Sequence, residues 1–185
     1  MPNYKKRVRD ALKAVLSDAT VGFNVKLAAL EVTYNIQPFS IDFDETQSLN
    51  FLTGFITEDS IEMSDVIQFP ALVMYTSRAL DDKKMMTTKF SGQVVAHLDF
   101  YLRFRALTDP QHTENTFEQR RDYEALPDAV EDAVKEMLVA GRSIFNPTHG
   151  VNQIDYEVNR EPIQLAGDGY TQRVAFTLGF EVHVS

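Results

Sequence analysis

The chain contains neither cysteine nor tryptophan. Without cysteine it has no structural disulfide, no thiolate nucleophile and no cysteine-type zinc site, and the plainest setting for it is intracellular or indifferent to redox state. No run comes near the roughly 20 apolar residues of a membrane span. The basic opening, Met1 to Lys13, carries Lys5, Lys6, Arg7, Arg9 and Lys13 against Asp10, but lacks the continuous apolar stretch that follows the positive region of a signal peptide. The expectation is a soluble, unsecreted protein without membrane contact. Positive charge is also short. Lys and Arg number 18 against 27 Asp and Glu, leaving a formal charge of −9 and a pI near 4.9. That sign is wrong for a protein that grips nucleic acid phosphates through concentrated basic side chains.

Local catalytic fingerprints are missing as well. HExxH, GxSxG, GxxxxGK[ST] and GxGxxG do not occur. The histidines are His97, His112, His149 and His183, and their spacing is not that of a dedicated metal site. His97 and His183 fall on polar strand faces, and His149, in NPTHG, reads as a turn residue. The adjacent acids Asp81 with Asp82 and Glu131 with Asp132 are expected by chance in so acidic a chain, and neighbours along a helix point apart. The expectation is therefore no enzyme, no cofactor and no metal.

What is present suits one globular domain over residues 1–185, able to bury about 70% of its unfolded surface. Tyr4 to Leu16 places Val8, Ala11, Leu12, Val15 and Leu16 at helical spacing. Phe23, Leu27, Leu30 and Tyr34 form a second helical stripe, opposed by the β-branched Val25, Val32 and Thr33. From Ile36 to Gln68 the signals conflict: Phe39, Ile41 and Phe43 alternate as in a short strand, and Ser40 to Asp65 holds Asp42, Asp44, Glu45, Glu58, Asp59, Glu62 and Asp65 without a base. Residues 36–68 are read as an acidic insertion or arm that orders against a partner, with a solvated loop favoured over a metal site, since the spacing of the acids does not follow a calcium-loop pattern.

FPALVMYT (69–76) is a buried-strand signal, Arg78 to Lys84 a polar turn, and QVVAHLDFYLRFR (93–105) a long amphipathic strand that would reach roughly 40 Å. TENTFEQRRDYEAL is a polar helical candidate, after which Pro127 opens a helix with Asp128, Glu131 and Asp132 near its positive end. The stripe Ala129, Val130, Ala133, Val134, Met137 and Leu138 runs to a stop at Gly141. Two strands, Asn152 to Ile163 and Tyr170 to Val184, close the chain around an Asp168–Gly169 turn. The pattern predicts an α+β fold, an antiparallel sheet of about four long strands with helices packed on one face.

The other face then has nothing in the chain to cover it. His97, Asp99, Tyr101, Arg103 and Arg105 on the long strand, with the loop Asp81, Asp82, Lys83 and Lys84, are the expected interface residues, and a strand of such length is expected to meet another copy. The competing reading is a merely solvated face, on which cross-strand pairs such as Asp99 against a neighbouring Arg contribute about 0.2–1 kcal/mol each.

An N-terminal amphipathic helix, FPALVMYT, the long strand QVVAHLDFYLRFR, the helix ALPDAVEDAVKEML and then NREPIQLAGDGYTQRVAFTLGFEV form an order that resembles the tail terminator, or tail completion, proteins of long-tailed bacteriophages. The likeness covers about residues 4–20 and 69–184. It implies a homo-oligomeric ring, usually hexameric, at the head-proximal end of the tail in the virion, assembled in the host cytoplasm. Such a ring caps the tail tube, ends its polymerisation and joins the tail to a head-completion or connector protein, while DNA passes through the lumen without specific binding. A tail tube or other neck subunit is the neighbouring alternative, and a small-ligand-binding α+β domain is the alternative from another class.

Overall fold

The computed structural model describes residues 3–54, 66–82, 90–105, 116–166 and 169–184. Helix α1 (Tyr4–Leu16) starts where the Asn3 side chain accepts the Lys6 amide at 2.9 Å, satisfying one of the orphan donors of a first turn. Every member of its apolar stripe is buried. Helix α2 (Phe23–Tyr34) follows Phe23 and Leu27 into the core and ends at Asn35 in the left-handed region, φ 52°. After these come strands β1 (Phe51–Thr53), β2 (Ala71–Asp82) and β3 (Phe90–Arg105), helices α3 (Thr116–Ala140) and α4 (Arg142–His149), and strands β4 (Val151–Arg160), β5 (Gln164–Ala166) and β6 (Gly169–Val184).

The sheet runs β1-β2-β3-β6-β4, with β5 paired to the start of β6. Only the β1–β2 pairing among the described residues is parallel. The four long strands of the expected α+β fold are thus present, and β1 makes five along the path of a mixed, mostly antiparallel sheet. β3 and β6 pair from Phe90 opposite Val184 to Arg105 opposite Gly169 without a break, so each residue on β3 keeps its face along the whole ladder. The helices pack on one face, over Leu72 and Met74 of β2, Val94 to Phe104 of β3 and Val174 to Val182 of β6. They cover that face almost to the strand end, since a Cβ at Gly92 would lie 2.9 Å from the Tyr4 ring.

Four sequence expectations change. Arg78 to Asp82 continue β2 instead of turning, because β3 is long enough to pair with them through Asp82 opposite Ser91. Lys83 and Lys84 lie outside the described residues, as do His112, Asp168 and the acids Glu58, Asp59, Glu62 and Asp65. Pro127 sits inside α3 and does not open a helix. The lost N–H is tolerated where the stripe from Ala129 to Leu138 is buried against the sheet and α2. Consequently Asp128, Glu131 and Asp132 are not at a helix start. Arg160, at the end of β4, bonds Asp128 and Glu131, while Lys135 holds Glu131 at 3.4 Å and Asp132 at 3.5 Å.

Residues 36–54, finally, pack on the domain and are no detached arm. Asn24 clamps Ile41 from both sides, accepting its N–H at 2.9 Å and donating to its carbonyl at 2.8 Å. Asn50 does the same across Ser40 and Asp42, at 2.9 Å each. Ile41 is buried between these clamps, so the alternating Phe39, Ile41 and Phe43 form an extended segment held by side-chain amides in place of a ladder.

Tyr34 donates to Asp132 at 2.5 Å, and this bond to a carboxylate pushes its phenol up to about 12. The proton is held more tightly in the folded state than in the unfolded one, so its contribution is complete below pH 10 and is lost as pH rises from 10 to 12. Ultraviolet titration should show one phenol ionising near pH 12, and Tyr34→Phe should remove that step.

Candidate interaction surface

The face of the sheet away from the helices is divided into a covered part and an open part. Ala71, Val73 and Tyr101 on its β2–β3 portion are buried, and Leu52 of β1 with Ile67, Phe69 and Tyr75 packs against them. The segment 66–70 thus folds back over a face that the sequence suggested was bare. Tyr101, expected to be exposed, is 4% exposed. Arg103 is exposed, with its guanidinium carbon 5.7 Å from the Phe69 ring centroid, a cation–π distance.

Beside this patch lies a polar network. Arg173 of β6 forks between Asp99 Oδ2 at 2.8 Å and Glu161 Oε1 at 2.5 Å. The Asp99–Arg173 contact is diagonal, because Asp99 stands opposite Ala175 and Tyr101 opposite Arg173. Asp99 is 2% exposed. Burial pushes its carboxyl up, and the hydrogen bond and charge of Arg173 only partly offset that. Burial pulls the Arg173 guanidinium down, but the carboxylates around it, Asp99 foremost, raise it overall.

His97 is half-buried and stacks on Tyr75, with ring centroids 4.6 Å apart and planes 14° apart. Burial lowers His97 and outweighs the opposite pull of Asp99. Ser77 Oγ lies 2.7 Å from His97 Nε2, placed there by the bulge that interrupts β2 between Thr76 and Arg78. This serine–histidine pair resembles a nucleophile with its base, but Asp99 gives its Oδ2 to Arg173, and among the described residues the other histidine nitrogen has Thr177 Oγ1, at 3.5 Å, as its hydrogen-bond partner. An orienting carboxylate is therefore not in place. Among the described residues no three His, Asp or Glu side chains gather as a metal site requires, and no helix is long and apolar enough to cross a membrane.

The open part belongs to β6 and β4. Asp155, opposite Gly179, and Glu157, opposite Thr177, share the outward face with Glu181 and His183. Asp155, Glu157 and His183 are exposed and Glu181 half-exposed. His183 Nε2 is 3.4 Å from Glu181. Ile154, the extra residue of a second bulge, is 55% exposed on the same side, its Cγ1 3.3 Å from the place of a Gly179 Cβ. β4 pairs with β6 along one edge and, among the described residues, with no strand along the other.

The structure therefore separates the expected interface residues. Asp99 and Tyr101 are internal, His97 is half-covered and Arg103 is at the surface, while for Arg105, Asp81 and Asp82 the backbone position in β3 and β2 is what is described. Asp155 and Glu157 were missed as surface candidates, although their alternation along the strand was the available signal. Neither a scan of protein-family models nor a search of curated proteins gives a match to this chain.

Proposed function

We propose that the chain is a structural subunit of a phage tail, a tail terminator that assembles into a homo-oligomeric, hexameric ring, caps the tail tube and joins it to the head connector. The observation that carries this reading is the open acidic face of β6 and β4, where Asp155, Glu157 and Glu181 stand outward beside a strand edge that, among the described residues, no other strand pairs. A ring whose lumen displays such a face repels the phosphates of DNA moving through it. That edge of β4 offers a neighbouring subunit backbone donors and acceptors. The order of elements supports the same reading. A chemical role draws no support from a serine–histidine pair that lacks its carboxylate.

Electron microscopy and native mass spectrometry of the purified chain with tail tubes test the proposal. Single rings seated on tube ends are the expected result. A chain that stays monomeric and leaves tubes uncapped overturns it, and helical filaments would point to a tail tube subunit. The double variant Glu157→Lys with Glu181→Lys should still form rings but should retain added double-stranded DNA in a gel-shift assay at low salt, where the parent ring does not. Equal behaviour of the two proteins would remove the acidic face from the lumen.

A further inference from the structure

Helix α2 is apolar on both sides. Phe23 and Leu27 are buried, yet Val25, Ala28, Ala29 and Val32, at spacings of three and four on the opposite side, are exposed, Val25 at 39% and Val32 at 89%. A helix that is apolar all round is one that is covered all round. Lys26 and Glu31 flank this second stripe, one on each side at 100° per residue. Among the described residues no ion pair engages either of them.

The stripe is complementary to itself. A two-fold axis between Ala28 and Ala29, perpendicular to α2, brings Val25 against Val32 of a second copy and Ala28 against the second copy's Ala29. The same operation carries Lys26 to the side and height of the second copy's Glu31. Small residues lie at the crossing point, where two backbones come closest. Both charges then find opposite partners, and they do so twice because the contact is isologous. We infer that the outer face of α2 is a homodimer contact, antiparallel helix on helix, with a second copy of this chain as its occupant. An isologous contact cannot close a ring of six by itself, so it is distinct from the ring contact of the proposed function. It joins subunits in pairs, or one ring to another.

One short helix on another falls below the roughly 1,000 Å² of a stable interface. The association is therefore expected to be concentration-dependent, and sedimentation velocity of the full chain across a dilution series is the suitable measurement. Wild-type protein should show a reversible monomer–dimer step, or ring–ring pairing if rings form. Lys26→Glu and Glu31→Lys should each weaken it at least tenfold, because each creates two like-charge contacts. The double variant K26E/E31K should restore it, and an equimolar mixture of the two single variants should associate more tightly than either alone. Val32→Glu should abolish it. Absence of the step in wild type, or a step indifferent to the charge swaps, overturns the inference. So does a Val32→Glu protein that loses thermal stability with no change in association, since the face would then cover a part of its own chain. Rings that form normally while the swaps do nothing refute this contact alone. Charge-dependent pairing without rings refutes only the ring.

Discussion

Replacing Arg173 with Met should lower the unfolding free energy by about 3 kcal/mol at pH 7, and by distinctly less at pH 5, in urea denaturation curves. Arg173 is the counter-charge of Asp99, a carboxylate with a 2% exposed residue surface. Burial already raises Asp99 with the guanidinium 2.8 Å away. Without it the carboxyl has no opposite charge at that distance and rises further. A carboxyl whose folded value lies above its unfolded value favours the folded state when protonated. The penalty is therefore small at low pH, grows as pH rises from the unfolded value near 3.8 toward the raised one, and is complete above it. Glu161 loses its partner too, but it is half-exposed and water can replace much of that bond. The double variant Asp99→Asn with Arg173→Met should be less destabilised than the sum of the single changes, as for any directly coupled pair. Equal losses at the two pH values would mean that lost packing of the long Arg stem, not the stranded carboxylate, sets the cost.

The period-two pattern of QVVAHLDFYLRFR was sufficient to assign Val94, Ala96, Leu98, Phe100, Leu102 and Phe104 to the helix side, and a pairing of Asp99 with some neighbouring Arg was among its readings. Which Arg depended on register with a strand 74 residues away in sequence. The burial of Tyr101 depended on Ile67 and Phe69 folding back over β2 and β3, and these two residues straddle the end of the stretch whose signals conflict most. Alternation says that two faces differ. It does not say whether a distant segment will cover the polar one.

Elsewhere the legible parts are those whose physics is local. The stripe of α1, its basic opposite side and the stop at Gly141 need no knowledge of the rest of the chain; Gly141 is further required because a Cβ there would lie 2.4 Å from Val15 Cγ1. The illegible parts are fastened at a distance. Asn24 and Asn50 hold residues 40–42 by side-chain amides that imitate a strand partner, and an asparagine used in this way looks like any turn residue in sequence. Pro127 reads as a helix start for the related reason that proline tolerance depends on how firmly the flanking helix is packed. The second apolar stripe on α2, from which the homodimer contact is inferred, shows in the sequence only as β-branched residues unfavourable to a helix.

Phe100→Ala should cost about 4 kcal/mol and lower the melting temperature by roughly 10 °C, measured by calorimetry. Phe100 is fully buried on the central strand β3, with its ring 4.9 Å from Phe23 of α2 and 5.9 Å edge-on from Phe176 of β6. It therefore joins the helical layer to the sheet at the point where three elements meet. Truncation removes the transfer free energy of a benzyl group and leaves a cavity that β3, paired on both sides, cannot close by moving. Phe100→Leu should cost less than half as much, since most of the volume is retained. Phe23→Ala with Phe100→Ala should fall short of the sum of the two, because both open the same cavity and the first loss already includes the ring–ring contact. The cavity also loosens the seat of α2. Phe100→Ala is accordingly expected to weaken the α2–α2 association without altering Lys26 or Glu31, whereas a surface variant such as Val32→Glu should abolish association and leave the melting temperature nearly unchanged. Opposite ordering of the two readouts would place the anchor of α2 somewhere other than the Phe23–Phe100 contact.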